Sequence, residues 1–136
     1  MKKLIVYLLF LGLPTSLLAA GVHQLSQLID YVGVDYAGAV EAGKIINPAE
    51  YGEMEEFSVA IREGVVSLPA SPSQQDLLQK AGQLSGLVNN RVDPKEVASL
   101  TAEMRQILIS NYEMKVVPSR TPDLQMAESL YGEQCA

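Results

Sequence analysis

The 136 residues are 48% hydrophobic, enough for one compact domain with a real core and too few for a second full domain. Ten Lys and Arg stand against 16 Asp and Glu, a net charge of −6, so a phosphate backbone is repelled and nucleic acid is excluded as a natural partner. A single cysteine cannot make an internal disulfide, so stability has to come from packing.

The chain opens "MKKLIVYLLFLGLPTSLLAAG": two lysines, an apolar run from Leu4 to Leu13, Pro14 with polar Thr15 and Ser16, then small Ala19 and Ala20. This layout predicts a secretory signal peptide over residues 1–20 and a periplasmic product. The apolar run falls short of the roughly 18–20 residues that cross a bilayer, and no cysteine follows it to take a lipid. Losing Lys2 and Lys3 makes the remainder more acidic still.

Residues 21–115 read as a bundle of four helices. Val22, Leu25, Leu28, Ile29 and Val32 form the first apolar stripe at helical spacing. The stretch "VGVDYAGAVEAGKIINP" carries Gly33, Gly38 and Gly43 and is expected to be a loop or a broken helix. Asn47-Pro48 with Glu50, Ser71-Pro72 with Gln74, and Asp93-Pro94 with Glu96 then repeat one helix-start chemistry. Each joins an N-cap oxygen to a proline at the first helical position and adds a side chain able to reach back to the cap. Behind these caps run Tyr51, Met54, Phe57, Ile61 and Val65; then Leu77, Leu78, Ala81, Leu84 and Val88; then Val97, Leu100, Met104, Ile107 and Leu108. No strand pair with a turn signal is expected, so the fold class is all-α.

Residues 116–136 read as a linker and one more short helix, begun by Thr121 and Pro122 and burying Ala127, Leu130 and Tyr131. Cys135 follows at its end. A c-type haem is held by C-x-x-C-H, which typically follows such a helix, yet here only the first cysteine is present.

Few residues suggest chemistry. His23, the only histidine, supplies neither a triad nor a metal site by itself. Glu53, Glu56 and Glu63 fall within roughly 80° of one another on the helical wheel, away from Met54, Ile61 and Val65. Carboxylates suit hard cations, although the same pattern describes an ordinary solvated helix face. Asp30, Asp35 and Tyr36 lie around the glycine-rich turn, where an aspartate is expected to cap a helix or bond local backbone. Catalytic triads, Walker loops and dinucleotide fingerprints are missing, and the chain reads as no enzyme.

From Leu28 to Phe57 the sequence resembles the extracytoplasmic N-terminal region of bacterial high-affinity iron permeases, the iron/lead permease family, in the members that carry a c-type cytochrome segment. The likeness rests on Asp30, Tyr31, Asp35, Tyr36, Gly38, Ala39, Val40, Gly43, Ile46 and Asn47, then Glu50, Tyr51, Glu53, Met54, Glu56 and Phe57. Pro122 to Ala136 is similar to the start of their cytochrome c domain. Ala37 stands where those proteins often have proline, and Arg62 and Glu63 begin the permease motif Arg-Glu-x-x-Glu but meet Val66 in place of the second Glu.

The resemblance implies a periplasmic accessory domain of an iron-uptake permease, with the permease module, a cytochrome and iron itself as expected partners. It also implies that Cys135 is the first haem-attaching cysteine of a longer product cut short inside the motif, with haem c as the cofactor of that product. The other expectations are an electron-transfer module whose haem-binding part lies beyond this chain, a complete small protein with a free thiol, and a structural spacer.

Overall fold

The structure, a computed structural model, describes residues 15–112, 114 and 121–134, with side chains from residue 21 onward. Helix α1 spans Thr15–Ala39, and a minimal hairpin pairs β1 (Val40–Glu41) with β2 (Lys44–Ile45). Helices α2 (Pro48–Val66), α3 (Pro72–Asn89) and α4 (Pro94–Asn111) follow, and α5 (Leu124–Gln134) lies beyond a connection. The expected leader falls mostly outside the described residues, and α1 begins within it.

Three helices start as their sequences dictate. Asn47 Oδ1 accepts from the Glu50 amide at 3.3 Å, Ser71 Oγ from Gln74 at 3.1 Å and Asp93 Oδ1 from Lys95 at 2.9 Å, with proline at the first helical position each time. The reciprocal arms differ from expectation. Gln74 turns away from its own cap, and its Nε2, with two hydrogens to give, lies within donating reach of the carbonyls of Val65, Val66 and Leu68, closing the exposed end of α2. Glu50 reaches across to α1, as described below.

The four stripes meet in one core. Val22, Leu25, Ile29, Val32, Tyr36 and Ala39 of α1 face Tyr51, Met54, Ile61 and Val65 of α2, with Leu77, Ala81, Leu84 and Val88 of α3 and Val97, Leu100, Met104 and Leu108 of α4. Leu28, Phe57, Leu78 and Ile107 sit half-buried at the seams. Each fully buried Val, Leu or Ile contributes about 1.5–3 kcal/mol, and this burial offsets the entropy of ordering the chain.

Helix α1 packs on α2 and α4, and α3 closes the ring between them. Cross-contacts give the directions. Across α1 and α4, Asp30 pairs with Arg105 and Tyr36 with Val92; across α1 and α2, Leu25 lies against Gly64 and Tyr31 meets Glu53; across α2 and α3, Tyr51 pairs with Val88 and Val65 with Gln74; across α3 and α4, Lys80 pairs with Glu103 and Ser71 with Tyr112. In each helix pair, partner numbers fall on one side as they rise on the other, so the bundle runs up, down, up, down.

Of the expectations about the glycine-rich stretch, the break from helix holds only from Val40 onward, and the absence of a strand pair is overturned. Helix α1 passes unbroken through Gly33 and Gly38 to Ala39. Gly33 is there for proximity, since a Cβ at this position would overlap the Thr101 hydroxyl and lie 3.1 Å from Thr101 Cβ, so the missing side chain lets α1 and α4 approach. A strand pair also exists, with Val40 opposite Ile45 and Glu41 opposite Lys44. Its turn residues Ala42 and Gly43 have φ of 50° and 76°, the double positive φ of a type I′ connection. Ala-Gly is a poor advertisement for that turn, which is why the sequence hid it.

At the same end, Arg91 adopts φ 52° to close α3, with its amide on the Val88 carbonyl and the Val92 amide on that of Leu87. Its guanidinium lies 5.8 Å from the centre of the Tyr51 ring, a cation–π contact that helps to hold a conformation glycine would adopt more cheaply.

The last helix departs most from its reading. Asp123, not Thr121, caps it, with Oδ1 accepting from the amides of Gln125 and Met126 at 3.0 and 3.1 Å. None of its residues is buried: Leu124, Leu130 and Tyr131 are exposed, because no described element covers that face. Cys135 lies outside the described residues.

Candidate functional site

Glu53, Glu56 and Glu63 all stand exposed on α2, as the wheel requires. A wheel suppresses distance along the axis, however. At 1.5 Å of rise per residue, Glu63 lies about 15 Å along the helix from Glu53, while Glu56 is only about 4.5 Å away. Among the described residues, no three His, Cys, Asp or Glu side chains are gathered as a metal site requires.

What the fold does gather around Glu53 is a different set. The Tyr31 hydroxyl of α1 lies 3.2 Å from Glu50 Oε1 and 3.3 Å from Glu53 Oε2, within donating reach of both, and the ring of Tyr31 meets Phe57 edge-on at 5.3 Å. Glu50 and Glu53 are one turn apart on α2, so both carboxylates face the same hydroxyl of α1. Partial desolvation against α2, the hydrogen bond to Glu50 and the negative charges of Glu50, Glu53 and Asp35 push the Tyr31 phenol up to about 12. At neutral pH it keeps its single proton, which it can donate to either carboxylate but only to one at a time. Nothing in the spacing announces this group, because its members come from two helices and Glu50 looks like a capping residue. The only signal is that Tyr31 stands outside the first apolar stripe.

Of the other residues named from sequence, Asp30 and Tyr36 have structural work. Asp30 is in mid-helix, and its Oδ2 accepts from Arg105 Nε at 3.0 Å, tying α1 to α4; the pair is half-exposed and worth about 1 kcal/mol at most. Asp35 likewise sits inside α1 and not at a helix end. Tyr36 is fully buried, its hydroxyl within 3.4 Å of the Val92 carbonyl. Burial, then the nearby Tyr51, raises its phenol to about 12 against the opposing effect of Arg91. His23 is exposed.

At least two crevices open on the surface of the described residues. One, of about 380 Å³, lies between the start of α1 and the end of α2 and is mainly apolar, with Leu25, Leu28, Ala60 and Leu68 in its walls. The other, of about 450 Å³, lies between α3 and α4 beside Gln83, Glu96 and Glu103. Neither is lined by Tyr31, Glu50, Glu53 or Phe57. Among the described residues, no helix is long and apolar enough to cross a membrane.

Residues 15–115, the whole bundle with its hairpin, match the family model of the iron permease-associated 4-helix bundle domain. No curated protein and no solved structure matches the chain. The up-down bundle and the extent of the match agree: this chain belongs to the iron permease-associated four-helix bundle family.

Proposed function

We propose that the chain is an accessory bundle acting on the periplasmic side of a membrane iron permease, where it binds or positions and performs no reaction of its own. The observation that carries this reading is the family membership of residues 15–115, which takes in all four core helices. The leader-like composition of residues 1–20 supports the periplasmic side.

Within this role, the acidic face of α2 offers iron a weak landing site. Glu53 anchors it, with Glu50 and Tyr31 on one side and Glu56 a turn further on; Glu63 extends the negative face beyond the reach of the same ion. Carboxylate oxygens suit a hard cation, and clustered negative charge raises its local concentration. Calorimetric titration of the chain with ferrous iron under anaerobic conditions tests this. Binding should be measurable and should weaken severalfold in the double variant Glu53→Gln, Glu56→Gln. No heat with the unmutated chain would remove the direct metal role and leave the positioning role, which co-purification with the permease module would test.

A second reading, electron transfer, is favoured by α5, whose exposed Leu124, Leu130 and Tyr131 want a cover that the bundle does not give. In that reading α5 opens a c-type cytochrome with Cys135 as its first thioether. The residues in hand do not complete a haem site, since the sequence holds one cysteine, Cys135, one histidine, His23, and no C-x-x-C-H. The coding sequence after Ala136 should then supply Ser-Cys-His, and well-covered sequence without it in any frame would end this reading.

A further inference from the structure

We draw no further inference here: the strongest candidate, the apolar crevice of about 380 Å³ between the start of α1 and the end of α2, carries nothing because nothing in the structure shows what covers it.

Discussion

Helix α2 and helix α5 are both amphipathic, both begin at a side-chain cap, and yet they end in opposite environments. In α2 the apolar side, Tyr51, Met54, Ile61 and Val65, is buried, whereas in α5 Leu124, Met126, Leu130 and Tyr131 all remain exposed. The difference is not in the stripe. Helix α2 has α1 and α3 on either side, joined to it by short connections, while α5 has eleven residues, none of them buried among the described residues. An isolated helix of that length is marginal in water, so its order depends on whatever its apolar side meets. Amphipathicity states that a face needs burial; it does not supply the partner.

The largest expected effect lies at the centre of the bundle. Ile61→Ala removes a fully buried side chain and should destabilise the chain by about 2–5 kcal/mol, read from a shift in the urea midpoint. An unchanged midpoint would mean that α2 is no better packed than α5.

Gly33→Ala comes next. Alanine gains about 1 kcal/mol of helix propensity but forces a methyl group into Thr101, an overpacking that costs about 1–3 kcal/mol. A net loss of stability is expected, with part of it recovered when Thr101→Ala is added. A double-mutant cycle showing no coupling between the two positions would break the account of the α1–α4 contact.

A smaller effect concerns Tyr31. Its pKa in the fold is raised above the ordinary value of 10.0 to about 12, so the neutral phenol is the form that folding favours. The resulting stabilisation is present below pH 10 and is lost as the pH rises through 12. Absorbance titration of the tyrosines should show the Tyr31 step move back toward 10 in Glu50→Gln, Glu53→Gln; an unmoved step would mean that the carboxylates do not hold the hydroxyl in solution.

The smallest effect is expected in α5. Leu130→Ala should change stability by no more than about 0.5 kcal/mol, in thermal or urea unfolding, because the side chain is exposed and joins no core cluster among the described residues. A loss as large as that of Ile61→Ala would show that α5 packs onto the bundle, and the contrast between the two helices would fall.

Much of the fold is legible in the sequence. Asn47, Ser71 and Asp93 cap α2, α3 and α4 where their dipeptides with proline say they should, and the four stripes are the four buried faces. The candidate site is legible only in part: Glu53 can be picked from a wheel, but not the Tyr31 hydroxyl that reaches it, nor the axial gap that separates Glu63. The glycine-rich stretch misleads for a similar reason. A glycine that ends a helix and a glycine that lets two helices touch look the same along the chain, and Gly33 is told apart only by the position of Thr101.

By itself, then, the sequence determined what is local: where helices begin, which side of each is apolar, and that the surface is acidic. These follow from the nearest few residues and from a period of 3.6. Tertiary structure alone decided what depends on distance between segments: the hydroxyl of Tyr31 between two glutamates, Gln74 closing the end of its neighbour, the closeness of α1 and α4 at Gly33, and the bare face of α5. Such contacts join positions separated along the chain, and no short-range rule encodes which positions packing will bring together.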